Sequence, residues 1–469
     1  MSKNKYIIST LAILLTSILI FFFAPDEECR ILLEVLYVIE NIYIIYAVKK
    51  IHNEYVNGLT IFLFSIFFFN GIRIILDLFG FENICQLDSP FSTETINAFD
   101  NNRALLNVII SIYGIALGYS LYKGNINSLK SKFRISLRGP IVWSLLIIGF
   151  AAKIYIAYES FSVLSLMSYA ETYTEGNKIG GLLRAISYAP ILIGLMKISE
   201  RRRAWLWVIV IWALLNMAGG QRGPGLLLII SILYFAAKLS LFTITRVKVV
   251  AGIVIAITLS ILVGEIRSES LVKEDANNPV MDFLWEEGSS FSVLQLTIKN
   301  EAKLKYEPAD LVGGITGLIY HYLPFLSPPH YKESTDALVY QATQIKNWSS
   351  YISYMTNSSV YFLGGGMGGN YIGQLYAVGK ELWVFIFSLI IGYFLHFINY
   401  KMWSQNIIVS YSAFTFFQSL IYIPRDNIFD FVLDFMPSII LITIVLILFI
   451  SHNLLEGYST FQLHKRTNV

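Results

Sequence analysis

Two arginines and a pair of glutamates are the residues of this sequence whose types and positions best suit chemistry. Arg222 lies in MAGGQRGPG, between two apolar runs that leave almost no room for a loop, and Arg425 lies in YIPRDN after another apolar run. A guanidinium offers several fixed N–H donors to anionic oxygens. Glu286 and Glu287 stand together in FLWEEGSS, and a carboxylate in a partly desolvated pocket can accept a proton. Taken singly, each residue also suits an ordinary role, as an arginine on lipid headgroups or as a solvated carboxylate.

Aromatic side chains accompany these charges. Trp285 precedes the glutamate pair, and Trp348 and Tyr351 lie in KNWSSYISYM. Flat rings stack on the apolar faces of sugars, although rings near a membrane more often anchor the protein at the interface. His321 and His330 suit proton transfer near neutral pH, and a purely structural place suits them equally.

A glycine-rich stretch, GGGMGGNYIGQLY, leads into a later apolar run. Gly369, Asn370 and Tyr371 lie at its junction with the apolar run. Glycines let the backbone approach a ligand closely, and the start of a following helix directs N–H groups at an anion. A plain turn before a membrane span explains the same pattern, so both interpretations stay open.

The elements that carry these residues are membrane spans. Of 469 residues, 55% are hydrophobic and only 14% are charged, and the mean hydropathy is +0.59. We predict an all-α, polytopic membrane protein of about twelve spans, because apolar runs of roughly 20 residues recur along the chain. The runs centre near residues 15, 40, 68, 114, 147, 188, 212, 231, 256, 390, 414 and 441.

Lysine and arginine fall in alternate connections, which predicts that both termini lie in the cytoplasm. Arg222 and Arg425 then face outward against the general trend, and Arg267 lies at the start of the longest outward segment. We expect three parts: residues 1–264 with about nine spans, a partly helical outward segment 265–380, and residues 381–469 with about three spans.

Several classes of function are disfavoured. A net charge of +3 gives no reason to expect nucleic acid as a partner, and the sequence contains no Walker loop or dinucleotide fingerprint. We expect no cofactor and no metal site, since the outward carboxylates lack ligand spacing. The only cysteines, Cys29 and Cys85, lie in neighbouring outward connections, where a disulfide and two free thiols are equally consistent with the sequence.

In this order, GGQRGPG, FLWEEGSSFSVL, GGGMGGNYIGQLYAVGKELWVFIFSLIIGY and YIPRDNIFD resemble the Wzy-type O-antigen polysaccharide polymerases. The resemblance covers mainly the chain from Ala204 onward. It implies an enzyme of the bacterial inner membrane that joins oligosaccharide repeat units at the periplasmic face, with undecaprenyl pyrophosphate leaving. It also implies a helical fold similar to C-class glycosyltransferases. The expected partners are undecaprenyl-pyrophosphate-linked oligosaccharides, membrane lipids and a chain-length regulator of the Wzz type.

The resemblance gives the singled-out residues specific roles. Arg222, Arg425 and Arg267 would bind the pyrophosphate, because charge develops on that leaving group. Glu286 or Glu287 would take the proton of the attacking sugar hydroxyl. The predicted substrate-binding residues are Trp285, Trp348, Tyr351, Gly369, Asn370 and Tyr371.

Two other functions remain open at this stage. A flippase or other transporter of repeat units would also use charges inside spans, such as Arg73, Asp77, Lys153, Arg184 and Asp434. Such proteins usually show internal repeats and interrupted helices at corresponding places in two halves, and the sequence indicates neither. An O-antigen ligase would perform the same glycosyl transfer with the lipid A core as the acceptor, and the polymerase pattern fits better.

Overall fold

The computed structural model describes most of the chain. It covers residues 3–23, 27–52, 55–87, 91–93, 95–122, 139–166, 181–219, 222–241, 279–322, 338–363, 366–432 and 435–447, together with the single positions 245, 258 and 326. A few side chains within these ranges are also left undescribed, among them those of Arg222 and His321. Arg267, His330 and Asp434 lie outside the described residues.

The described residues form helices, and no β-strand is found among them beyond a single antiparallel bridge between Gln86 and Thr95. The α-helices are α1 Lys3–Phe23, α2 Glu27–His52, α3 Gly58–Ile66, α4 Ile72–Leu78, α5 Ala98–Leu121, α6 Gly139–Leu166, α7 Gly181–Ser187, α8 Ala189–Ser199, α9 Leu206–Ala218, α10 Arg222–Lys238, α11 Pro279–Glu287, α12 Ser289–Lys299, α13 Gly313–Tyr322, α14 Trp348–Thr356, α15 Ser358–Phe362, α16 Tyr371–Lys401 and α17 Ile407–Leu420. The all-helical prediction is confirmed for this part of the chain.

Nine helical segments of the described chain are long and apolar enough to cross a membrane, the last of them Asp430–Ile447. Two more of the predicted spans appear as the shorter apolar helices Arg203–Ala218 and Gly223–Lys238. The run predicted near residue 256 falls almost entirely outside the described residues. Polytopic architecture is therefore confirmed, whereas the count of about twelve spans and the likeness to C-class glycosyltransferases stay predictions.

Two glycine-containing helices, α5 and α16, make the most extensive helix pair described. Gly114 and Gly118 follow each other at four-residue spacing on α5, and Gly392 of α16 lies against Ile115. A Cβ added at Gly118 would lie 1.9 Å from the carbonyl oxygen of Leu389. Small residues let membrane helices approach closely, so these glycines permit the contact.

Helix α16 folds back on itself. Its backbone leaves helical geometry at Gly379 and Lys380, and Lys380 has a φ of 58°. The Tyr371 and Ser111 hydroxyls are hydrogen-bonded, and Ser388 donates to the Ser111 hydroxyl at 3.0 Å. In a straight helix Tyr371 and Ser388 would be roughly 25 Å apart. The short piece before the break therefore runs antiparallel to the long piece after it.

A group of charged side chains closes around this break, and we call it the break cluster. Arg103 bonds Glu381 at 2.7 Å and Glu301 at 3.2 Å, while Lys380 bonds Glu301 at 2.7 Å. The Tyr376 hydroxyl donates to Glu301, and its ring lies under both cations. These contacts join α5, the turn after α12 and both pieces of α16.

No disulfide joins the buried Cys29 to the half-buried Cys85. The Nη1 of Arg30 lies 3.9 Å from the Cys85 sulfur. Of the two alternatives left open by the sequence, the structure does not show the disulfide.

Candidate functional site

Four helical segments are interrupted at one place inside the bundle. The interruptions are the π-helix Phe67–Gly71 between α3 and α4, Gly288 between α11 and α12, Asn370 ahead of α16, and the 3₁₀ turn Ile423–Arg425 after α17. Interrupted helices release backbone groups that must find other partners. This is the point at which polar side chains enter an otherwise apolar interior.

Asn370 connects three of these interruptions. Its Nδ2 donates to the side-chain oxygen of Asn70 at 2.7 Å and to the carbonyl oxygen of Ser290 at 2.6 Å. Asn70 in turn donates to the carbonyl oxygen of Pro424 at 3.2 Å. Both asparagines are fully buried, so they hold the four segments in register through bonds that water cannot replace.

Arg73 lies beside this junction and is also buried. Its Nε donates to the carbonyl oxygen of Trp285 at 2.8 Å, and its Nη1 donates to the Ser292 hydroxyl. The guanidinium carbon lies 4.2 Å from the centre of the Trp285 ring, a cation–π contact. A Cβ at Gly288 would lie 2.7 Å from the Arg73 Cγ, so the glycine leaves the space that the arginine fills.

Glu287 and Arg425 form the ion pair of the site, through Oε2 and Nη1. The Glu287 side chain is 5% exposed, and that of Arg425 is 28% exposed. Arg425 also lies 5.4 Å from the ring centre of Phe69, whereas Glu286 points to an exposed position. The two glutamates are adjacent in the sequence, but in the structure Glu287 is buried and Glu286 is exposed. We call Asn70, Arg73, Glu287, Ser290, Asn370 and Arg425 the interior cluster.

Arg222 is the first residue of α10. The next residue, Gly223, lies so close to Tyr422 that a Cβ there would be 2.8 Å from the tyrosine Cε2. Tyr422 precedes the 3₁₀ turn that carries Arg425. The start of α10 is therefore beside the interior cluster, as a shared site for Arg222 and Arg425 requires.

The predicted aromatic residues fall in different surroundings. Trp348 is fully buried, with its ring centre 4.9 Å from that of Tyr306. Tyr351 is buried in the same group and accepts the Lys305 N–H at 2.7 Å through its hydroxyl. Trp285, half-buried beneath Arg73, is the one that borders the interior cluster.

The glycine-rich junction closes against the turn after Arg425. A Cβ at Gly369 would lie 2.6 Å from the Asp426 carbonyl carbon, so this close approach requires glycine. The Asn370 Oδ1 accepts the N–H groups of Ile372 and Gly373 at 2.9 and 3.3 Å. Because the Asn370 side chain already binds these two N–H groups, they are not available to the anion that the start of this helix was considered to bind. Tyr371 is buried, and the substrate contacts of all these residues stay predictions.

Sequence reasoning missed part of the site. Asn70 was not considered, and Arg73 entered only as a charge inside a span; an asparagine and an arginine three residues apart in an apolar run were the available indication. Gln374 was considered only as a departure from the glutamate that the family resemblance leads us to expect there, which weakens a catalytic role at that position. It is buried, donates to the Tyr306 hydroxyl at 2.8 Å and accepts the Ile428 N–H at 2.8 Å.

The other intramembrane charges have separate environments. Asp77 forms an ion pair with Arg30 at 3.1 Å, joining α4 to α2. Lys153 donates to the Asn216 side-chain oxygen at 2.5 Å. Within the described chain, no group of three or more histidine, cysteine, aspartate or glutamate side chains is placed to hold a metal ion.

These features define a multi-pass helical membrane protein whose polar chemistry lies where helices break inside the bundle. The model of the O-antigen polysaccharide polymerase Wzy family matches residues 5–456, and the chain belongs to that family. Proteins of this family are polymerases that act on lipid-linked oligosaccharide repeat units in bacterial membranes. The predicted family resemblance is confirmed. No individual curated protein and no solved structure is similar enough to the chain to count as a match.

Proposed function

We propose that this protein polymerises O-antigen by joining undecaprenyl-pyrophosphate-linked repeat units at the periplasmic face of the inner membrane. The observation that supports this most strongly is the interior cluster, in which Arg425 pairs with the buried Glu287 and the buried Arg73 holds the adjacent α11–α12 junction. Fixed cationic donors within a low-dielectric bundle suit a reaction that expels a pyrophosphate. Membership of the Wzy family supports the same activity in general terms.

The reaction exchanges one bond for another. The bond between the anomeric carbon and the pyrophosphate oxygen of the donor breaks, and its electron pair leaves with undecaprenyl pyrophosphate. A hydroxyl oxygen of the acceptor repeat bonds to that carbon, and its proton passes to a base. The protein must therefore stabilise negative charge on one side of the carbon and accept a proton on the other.

Arg425 is the arginine that we assign to the leaving pyrophosphate. It keeps 28% of its side chain exposed, whereas Arg73 is buried and donates to a carbonyl and a hydroxyl. Arg73 instead fixes the α11–α12 junction on which Glu286 and Glu287 stand. In this assignment Glu287 orients Arg425, because a planar guanidinium held by a buried carboxylate keeps one geometry.

Glu286 is the residue that we assign as the base. It is the exposed neighbour of a glutamate whose carboxylate is occupied by Arg425. A base must reach the proton it removes, so accessibility favours Glu286 over Glu287.

We assign Arg222 as a second cation for the pyrophosphate. It is the first residue of α10, and the neighbouring Gly223 packs on Tyr422, which precedes the turn that carries Arg425.

The experiment that tests this function is a gel of surface lipopolysaccharide from cells lacking the gene, with and without the wild-type chain. Collapse of a ladder to core plus one repeat unit, restored by the wild-type chain, is expected. Loss of even the single unit would contradict polymerisation. Lipid-linked repeat accumulating inside would then indicate a flippase, and accumulation outside would indicate a ligase.

A further inference from the structure

Lys153 is a buried cation in a helix at the edge of the bundle. Its side chain is 5% exposed. The Nζ lies 2.5 Å from the Asn216 Oδ1 and 4.2 Å from the centre of the Trp212 ring. Both partners are neutral, so neither balances the charge.

The surroundings of Lys153 add positive charge. Arg184 on α7 lies close enough to repel it electrostatically, and in the part of the chain that the structure describes Lys153 has no carboxylate partner. A cation held only by neutral groups inside a membrane bundle is costly. An anion delivered by a ligand would offset that cost.

A lipid can approach this place along α6. Ile154 and Tyr158 are 54% and 67% exposed, which makes that face of the helix lipid-facing in a protein whose spans lie in a bilayer. Lys153 lies next to this face, on the side turned to α9.

Lys153 and the interior cluster have different neighbours. Gly219, at the end of α9, packs on Ala157 and Ser160 of α6, whereas Gly223, at the start of α10, packs on Tyr422. Lys153 and Asn216 thus belong to the contact between α6 and α9, and Arg425 lies near the start of α10. Under the proposed function each turnover needs two lipid-linked molecules, a donor and an acceptor.

We propose that Lys153 and Asn216 form a second anion site, which binds the lipid-borne phosphate or pyrophosphate of the second lipid-linked substrate. This inference rests on the proposed function for the identity of the ligand. The lysine supplies charge, the Asn216 amide supplies N–H donors, and the Trp212 face keeps the ammonium in place. The interior cluster then holds the pyrophosphate that leaves, and the Lys153 site holds the one that stays attached.

The test counts bound ligand without requiring turnover. Full-length protein in phosphatidylcholine nanodiscs is titrated with radiolabelled farnesyl pyrophosphate, and the number of molecules bound per protein is measured. Wild type is expected to bind two, and Lys153→Met to bind one. Lys153→Arg, which keeps the charge, should retain two, and so should Lys197→Met, whose lysine is paired with Glu200 near the end of α8.

The outcomes separate this inference from the proposed function. Binding of a single molecule by wild type, or two by Lys153→Met, would overturn the second site while leaving polymerisation on the gel unaffected. If phosphatidylglycerol in the nanodisc reduces the wild-type number to one and Lys153→Met is insensitive to it, the site takes a phospholipid headgroup and the assignment to a substrate is wrong. Melting curves of each variant confirm that the titrated protein is folded.

Discussion

The break cluster and the interior cluster use similar residues in opposite ways. In the break cluster, Arg103 and Lys380 are matched by Glu301 and Glu381, and all four side chains are between 24% and 38% exposed. In the interior cluster, the ion pair joins Arg425 to the buried Glu287, while Arg73 bonds neutral oxygens. The break cluster is partly exposed throughout, whereas the interior cluster joins a partly exposed Arg425 to the buried Glu287 beside the buried Arg73.

The difference separates a structural use of charge from a chemical one. A balanced, partly exposed network contributes little free energy, but its geometry fits the reversal at Gly379 and Lys380. Arg425 is oriented by the buried Glu287. A guanidinium held in this way directs a strong electric field at a ligand that binds beside it. We therefore expect substitutions in the interior cluster to change the reaction and substitutions in the break cluster to change stability.

The largest effect is expected from Arg222→Ala. If Arg222 contacts the leaving group as we propose, removing its charge should lower polymer formation about 10³-fold, with the protein still inserted at its normal level. The measurement is the lipopolysaccharide ladder together with an immunoblot of membranes. Arg202→Ala, at a 63% exposed arginine paired with Glu200, is the matched control. Normal long-chain product from Arg222→Ala would exclude the leaving-group role.

Glu286→Gln should follow, with a loss of about 10²-fold, because the amide cannot accept the proton. Polymer formed by purified protein from lipid-linked repeats measures the rate. Glu287→Gln should act differently, weakening substrate binding through a misplaced Arg425. A wild-type rate for Glu286→Gln, with the proton-transfer defect in Glu287→Gln instead, would reverse the two roles.

Arg425→Lys should reduce the rate about 10-fold, since an ammonium keeps the charge but lacks the planar fork. Arg103→Lys makes the same replacement in the break cluster and should leave the rate per folded molecule near wild type. Equal losses in both variants would remove the functional distinction between the clusters.

The smallest effect is expected at Glu301. Partial burial alone would raise the pKa of Glu301, but hydrogen bonds from Lys380 and Tyr376 and the charges of Lys380 and Arg103 outweigh it and lower that pKa. A carboxyl with a lowered folded-state pKa stabilises the protein above its unfolded pKa of about 4.3 and loses that effect as pH falls. Glu301→Gln should therefore lower Tm by about 1 °C at pH 7, with the difference from wild type shrinking below pH ~4.3 and vanishing only below the lowered folded-state pKa. A difference that persists in acid would contradict this assignment.

Much of the fold could be predicted from apolar runs, because each span is specified by its own 20 or so residues. The fold-back of α16 could not. The sequence placed the end of the outward segment at residue 380, but the reversal there depends on contacts with Ser111 and Glu301. The division of FLWEEGSSFSVL into α11 and α12 was equally unforeseen. It needs Arg73 to occupy the space beside Gly288.

The charged residues of the candidate site could be predicted from the sequence, but the residues that they contact could not. Arg425 was found because an outward arginine at a span end is unusual, and the glutamates were found because two carboxylates are adjacent in the outward segment. The ion pair between Glu287 and Arg425 could not be predicted, because the two residues are far apart in the sequence and share no local pattern. Trp348 and Tyr371 were predicted to bind substrate, and the structure buries them both.

The sequence by itself determined that this chain is a polytopic helical membrane protein of the Wzy type, because composition, run length and the order of a few motifs are local properties. Only the tertiary structure decided which polar residues meet. Asn70, Ser290, Asn370 and Pro424 come from four separate segments, and hydrogen bonds across such distances depend on how the helices pack rather than on any stretch of sequence. The same packing gives Glu287 an arginine and leaves Lys153 with only neutral partners among the described residues.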